Sequence, residues 1–455
     1  MRTKLTIYAV VAVLAVAGLV AGIVAVAGAD QANPLRAISA ADLLTKMAQQ
    51  DQQTTSISGA VSWQNNLLGD ISALSGSNMG ASAKLPLAAN GSGRIWMSAG
   101  GVRVESLASG GDQIIVANST ARDAWLYDYA ANTAKHIVMT GTPPAGSGTP
   151  TPMPSPTVAT PAAISTFLQQ LAPNANATVT GQSVVAGRRV YLLTMTPTAT
   201  DTALGSVQAA IDGQTYVPLQ LQVTAKGGTS PVLQFGFTKV SYQAIPASRY
   251  HFTPPAGTTI TTKTIDLSKA TQSQSGTTSG QKAAPTKAQQ TQMQNALQSA
   301  MLTIPEARKL VPFQLASAQG YTARPFDWAA VVSKGGPLTA LDQPVMKLLG
   351  ATGMSGFGQS ADSSTTAPAG PTAVLLYGKG FGTIALAETA TTPALQTQLA
   401  QLPAIVDKTS MKGVTVRSFT TPLGGVYVWQ QGGTTLVAAG MVPRADLQAF
   451  VSSVL

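Results

Sequence analysis

The chain is 455 residues long, 44% hydrophobic and only 10% charged, with a formal net charge of +10 and no cysteine. That length is too great for one ordinary domain and fits two, and the missing Cys excludes disulfides, thiolate metal sites and a lipobox cysteine for lipidation. The basic balance reads as a diffusely cationic surface or, more sharply, as one drawn to anionic headgroups or wall polymers; no run of three Lys/Arg occurs, which with export argues against nucleic acid.

At the N-terminus, Arg2 and Lys4 precede an uncharged stretch from Leu5 to Gly28. It is long enough to cross a hydrocarbon core of about 30 Å as a helix. Residues 1–29 are expected to act as a retained transmembrane anchor or as a signal peptide, with Ala25, Ala27 and Ala29 suited to cleavage. Either way the positive flank stays in the cytoplasm and the rest of the chain is exported. The expected location is therefore extracytoplasmic, tethered to the plasma membrane or secreted.

A first domain is expected over 36–265. Ser39 and Asp42 stand in capping-box spacing, Ile38 and Leu43 are placed for a hydrophobic staple, and Leu43, Leu44 and Met47 form an apolar stripe. Strands follow. Ile95 and Met97 alternate with Arg94 and Trp96, Gly100-Gly101 turns the chain, and Val102 and Val104 alternate with Arg103 and Glu105. Further strands are expected at Gln113–Ala117 and at Ala124–Tyr129, where Trp125, Tyr127 and Tyr129 share a face. Residues 142–161, rich in Pro and Thr, read as a long loop insertion.

After a short helix at Ile164–Leu171, strands are expected at Arg189–Thr196, Ser206–Ile211, Leu219–Ala225 and Val232–Tyr242. In the last, Leu233, Phe235 and Phe237 share one parity while Val240 and Tyr242 take the other, so a bulge is expected near Thr238. The result is a large antiparallel sheet with one apolar face, to be covered by helices, by curling or by a ligand. A Gln/Ser/Thr-rich linker over 266–300 leads to a smaller α+β domain over 301–455. It opens on a capping box at Thr303 and Glu306 and closes on a helix with Leu447, Phe450, Val451 and Val454 on one face.

Catalytic signals are missing. His136 and His251 lie in separate strands or strand ends, and Gly353-Met354-Ser355-Gly356-Phe357 only approaches a nucleophile elbow. Gly378-Lys379-Gly380-Phe381-Gly382 faintly resembles a phosphate loop. A strand follows it rather than a helix, so it reads as a hairpin turn. No metal-ligand spacing occurs. The protein is expected to be non-catalytic and to need no cofactor.

Several runs together resemble a known family: Val185–Thr194, Ala210–Leu219, Phe235–Val240, Tyr250–Gly257, and upstream Trp125–Asp128 with Asn132–His136. The series is similar to LolA-like lipoprotein carriers and to their relatives, the RseB/MucB-type sigma-E regulatory sensors. Leu376–Gly380, and Thr434–Gly440 followed by Val442–Leu447, are similar to the sensor's smaller C-terminal domain. The resemblance implies a mainly β fold with α elements, a half-open antiparallel β-barrel with a helical lid, and acyl chains received on its concave apolar face. The candidate lining is Ile95, Met97, Val102, Val104, Leu219, Leu221, Val223, Leu233, Phe235 and Phe237. Alternation alone leaves each of them as either cavity lining or plain core.

Three functions follow. The first is an envelope protein that binds lipid or lipoprotein acyl chains as carrier or sensor. The second is an interaction module that regulates a membrane-bound signalling protein, anti-sigma-like, without lipid. The third is a wall-associated structural protein with a closed core. A tethered chain departs from the soluble carrier.

Overall fold

The computed structural model describes residues 34–50, 56–67, 90–108, 112–141, 161–266, 301–326, 372–400 and 406–455. The expected anchor at 1–29, the insertion expected over 142–161 except Pro161, the linker expected over 266–300 except Asp266, and the Gly353–Phe357 segment lie outside the described residues; Pro161 instead opens a helix and Asp266 ends a strand. Among the described residues no helix is long and apolar enough to cross a membrane.

The first domain is one sheet of twelve strands. In chain order they are β1 (Ile57–Asn65), β2 (Gly91–Ser98), β3 (Gly101–Ala108), β4 (Gln113–Asn118), β5 (Asp123–Asp128), β6 (Thr133–Thr140), β7 (Ala175–Val185), β8 (Arg188–Pro197), β9 (Leu204–Asp212), β10 (Pro218–Ala225), β11 (Pro231–Ser241) and β12 (Thr259–Asp266). The spatial order is β12-β6-β5-β4-β3-β2-β1-β11-β10-β9-β8-β7, antiparallel throughout except for the parallel pair β6–β12. Two meanders therefore meet at the central β1–β11 pair.

This sheet curls. β7 and β11 are four places apart in the order, which a flat sheet would hold about 19 Å apart at ~4.8 Å per strand. Their Cα atoms nevertheless approach within 8 Å. The end strands β7 and β12 do not pair with each other, so the barrel stays half open. Part of the bending is local. Opposite Ala60 and Val61 the register jumps from Lys239 to Phe237, leaving Thr238 as the bulged residue expected from the broken alternation.

Two helices cover the inner face: α1 (Ala40–Gln50) and α2 (Pro161–Leu171). The Ser39 hydroxyl accepts the Asp42 N–H at 3.0 Å and donates to the Asp42 carboxylate at 2.7 Å. The shorter acid thus closes the expected box on the hydroxyl rather than on the backbone of residue 39. Leu43 and Met47 of α1 are fully buried, as are Ile164 and Leu168 of α2.

The outer face of β3–β6 is covered by a strap, residues 242–258, which carries the chain from the central β11 to the far edge. Its Tyr250 ring is buried and its hydroxyl lies 2.6 Å from Ser98 Oγ. A side chain at Gly101 (φ 151°) would run into the Ala117 carbonyl and the Tyr250 ring, which explains the glycine pair in that turn. Arg103 Nη1 donates to the carbonyls of Arg249 (3.4 Å) and His251 (3.3 Å), and Trp125 stacks on His136 at 3.8 Å.

The second domain is a seven-stranded antiparallel sheet. Its strands are β13 (Arg324–Phe326), β14 (Thr372–Tyr377), β15 (Ile384–Ala390), β16 (Asp407–Met411), β17 (Val414–Thr421), β18 (Gly424–Gln431) and β19 (Thr434–Gly440), ordered β13-β14-β15-β19-β18-β17-β16. Helices α3 (Ile304–Leu310), α4 (Pro393–Ala400) and α5 (Arg444–Val454) complete it. The capping box at Thr303 and Glu306 is fully formed. Leu447, Phe450 and Val451 of α5 pack with Leu375, Tyr377 and Trp429, while Leu395 and Leu399 of α4 pack with Val426, Val428 and Val437. The sheet is thus covered on both faces, and β18 and β19 are buried almost end to end.

The domains meet along a defined seam. The Met441 carbonyl accepts from Ala203 N at 2.7 Å and from Thr202 Oγ1 at 2.9 Å. Phe381, Leu423 and Met441 pack against the core of the first domain. The Gly378–Gly382 segment is therefore not only a hairpin connection; it presents Phe381 across the seam.

The apolar inner face as candidate ligand site

The inner-face side chains come together as the alternation implied. Ile95, Val104, Leu219, Leu221, Val223, Leu233, Phe235 and Phe237 are between 0 and 5% exposed. Met97 and Val102 are half-buried against the same cluster. Register explains the meeting. Leu221 lies opposite Phe235, which lies opposite Trp63; Val223 lies opposite Leu233; Ile95 lies opposite Val104, which lies opposite Ile115. Phe235 and Phe237 pack edge to face at 5.8 Å and 87°. The ten candidates thus form one continuous apolar surface.

That surface is covered, here by the chain itself. Leu43, Met47, Ile164, Phe167 and Leu168 from α1 and α2 belong to the same cluster. Trp63 is a main contributor that alternation did not reveal. Its strand also places Gly59 and Asn65 inward, which dilutes the apolar pattern, and Gly93 of β2 leaves room for the indole. Leu193 and Met195 of β8 are buried beside it, within a strand expected from sequence although neither was a lining candidate.

The lid is tied down at one end by polar contacts. Leu35 N donates to Gln182 Oε1 and Gln182 Nε2 donates to Leu35 O, each at 2.8 Å. Tyr191 Oη donates to Arg36 O at 2.8 Å, and burial raises the Tyr191 phenol. The Lys46 ammonium of α1 sits 4.9 Å above the Tyr216 ring.

Next to this rim is the most elaborate polar cluster of the first domain. The Asp212 carboxylate, 1% exposed, accepts Arg188 Nε at 2.7 Å and Nη2 at 3.1 Å, with Gln214 N at 2.8 Å and Thr215 N at 3.0 Å. Tyr242 Oη is 3.3 Å away. Burial alone would raise this carboxyl; the Arg188 fork and the two backbone N–H groups outweigh it and hold it below its usual range. Burial also pushes the Tyr242 phenol well up. The cluster fixes the β9–β10 turn and the end of β8.

His136 lies 3.3 Å from Asp123, flat against Trp125, and His251 is exposed on the strap. Among the described residues no group of three or more His, Asp or Glu side chains is placed to hold a metal. What the inner face offers is a broad apolar area covered by α1 and α2.

No family model and no curated protein matches the chain. Among solved structures, the Pseudomonas aeruginosa MucA/MucB complex matches with a TM-score of 0.35 at 16% identity, over 91% of this chain and 97% of that one. An uncharacterized conserved protein from Thermus thermophilus matches at 0.28 and 11%, over 49% and 99%. A LolA superfamily protein from Nitrosomonas europaea matches at 0.19 and 10%, over 48% and 99%. The architecture is a half-open antiparallel β-barrel with a helical lid, joined to a second, smaller sheet domain.

Proposed function

We propose that the protein is a non-catalytic envelope protein that takes up lipid or lipoprotein acyl chains on the inner face of its half-barrel, as carrier or sensor, from a position outside the cytoplasm. The observation that carries this reading is the cover: a broad apolar sheet face closed by two helices rather than by a second sheet. Burial of a large apolar side chain is worth about 1.5–3 kcal/mol. The five large side chains of the lid therefore contribute about 7–15 kcal/mol against the sheet. An acyl chain of about 14 carbons gains roughly 11 kcal/mol at about 0.8 per CH₂. The two occupants are close to evenly matched, so exchanging one for the other is energetically accessible.

The test is photo-crosslinking of full-length protein in mild detergent with a diazirine-bearing fatty acyl probe, mapped by peptide mass spectrometry. Labels on the peptides bearing Leu221 and Phe235 are expected, reduced by competing unlabelled lipid. Labelling confined to residues 1–33 would refute the inner-face site. The alternative, a regulatory interaction module that works without lipid, predicts a protein-binding surface elsewhere on the domain.

A further inference from the structure

The outer face of the sheet is not uniformly covered. Where the strap ends, a recess of about 490 Å³ opens; its lining includes Ser62, Ser92, Arg94, Glu105, Leu107 and Thr238. The recess is half open to solvent. The recess crosses four neighbouring strands, and the register shows how it arises. On the outer face Ser62 lies opposite Ser92, and Ser92 opposite Leu107; in the next row Lys239 lies opposite Ala60, Ala60 opposite Arg94, and Arg94 opposite Glu105. Small side chains on the central strands make a floor. Larger ones on β3 and β11 make the walls. The bulge adds to one wall: Phe237 and Val240 pack inward, so Thr238 and Lys239 are both left exposed on the outside.

The charges are one-sided. Arg94 and Lys239 are exposed, and among the described residues neither has an ion-pair or hydrogen-bond partner. Arg103 and Arg249 stand on the strap side, the latter 5.2 Å over the Trp96 ring. The acid in this group is Glu105, and it is paired with Arg103 at 2.8 Å. Two cations without a partner among the described residues thus flank a hydroxyl-bearing floor, and Leu107 at its end is 57% exposed.

We propose that this outer-face recess binds an extended acidic segment of a partner protein. Its carboxylates would pair with Arg94 and Lys239, and an apolar side chain would rest on Leu107. The two cations stand on strands either side of β1, about 9.6 Å apart in the hydrogen-bonding direction. An extended chain covers that span in about three residues. A bilayer surface is the poorer fit, because a flat sheet of headgroups meets protruding side chains and leaves the half-buried Ser62 hydroxyl unserved. The site is on the opposite face from the acyl surface and does not depend on it.

The test uses the full chain in mild detergent and fluorescence anisotropy with two labelled ten-residue peptides of identical pattern, one carrying Asp/Glu and the other Asn/Gln. The acidic peptide is expected to bind, at least tenfold more tightly than the neutral one, with affinity falling steeply between 50 and 500 mM salt. Arg94→Glu should weaken it by at least tenfold, as should Ser92→Trp, which fills the floor without touching charge. Both positions are exposed, and unchanged melting of each variant confirms that the fold is intact. Equal binding of the two peptides, or indifference to both substitutions, overturns the proposal. So does binding only to vesicles containing phosphatidylglycerol, which would assign the patch to a membrane surface. Inner-face crosslinking reports separately on the acyl reading.

Discussion

Asp212 gives the sharpest test of the physical account. In Asp212→Ala the side chain that accepts two Arg188 N–H groups and the backbone N–H groups of Gln214 and Thr215 is lost. Arg188 is 30% exposed and can turn to water, which limits its share of the loss. The two turn N–H groups lose their acceptor. Each unsatisfied buried polar group costs about 1–3 kcal/mol, and breaking one partner out of a buried pair costs about 3–5 kcal/mol. We expect Asp212→Ala to destabilise the first domain by about 3–5 kcal/mol. Asp212→Asn should cost less, because its amide oxygen can still accept from the turn, although its NH₂ cannot accept from Arg188, which must turn to water. Urea unfolding followed by tryptophan fluorescence measures both. The carboxyl is held below its usual range, so its contribution is full above that range and is lost as pH falls through the folded value. The difference between wild type and Asp212→Ala should therefore shrink on acidification. A cost below about 1 kcal/mol at neutral pH, or a cost independent of pH, would refute the role given to this cluster.

Three further outcomes are expected. Phe235→Ala removes a ring that is 2% exposed in the middle of the inner face and should cost about 3–5 kcal/mol by thermal or chemical unfolding; if the lid collapses into the space, the loss will fall at the low end. Glu388, 3% exposed, accepts Ala316 N at 2.8 Å and Thr434 Oγ1 at 2.9 Å, and burial raises its carboxyl. A raised acid favours the folded state below the ordinary carboxylate range, and that advantage is lost as pH rises through the folded value. Glu388→Gln should therefore flatten the pH dependence of the second domain and stabilise it at neutral pH, since the amide can accept from Ala316 and donate to Thr434 while that hydroxyl turns to Gln431 O. Finally, Thr202→Val deletes one of two donors to the Met441 carbonyl and also the acceptor of Leu204 N, and should cost about 1–3 kcal/mol by calorimetry.

Much of the fold could be read in the residues, and the gaps have physical causes. The parity break between Phe237 and Val240 announced the bulge at Thr238, because only an extra residue lets both sides of the break face the core. The capping boxes and the α5 stripe were equally plain, since each is local. β1 was not, because its inward positions include Gly59 and Asn65. β7 has few large apolar residues, and β12 is exposed on nearly all its length, so neither leaves a burial pattern to read. The inner-face residues were legible as a set, but whether helix or ligand lies over them depends on partners distant in sequence. Phe381 shows the same limit: the turn was evident, while the domain it touches was not. The outer recess is a product of register, which sets small side chains of β1 and β2 beside large ones of β3 and β11.

The parallel pairing of β12 with β6 also has a mechanical side. All other neighbours in the sheet run antiparallel, but here the chain leaves the domain at Asp266 after eight residues matched in register from Thr259↔Thr133 to Asp266↔Thr140. The hydrogen bonds of such a pair are evenly spaced along both strands. A pull on the exit point along the strand axis loads them in shear, all together, rather than opening them one at a time from an end. Tension from the C-terminal side is thus borne by an entire strand pair before it reaches the barrel and its lid.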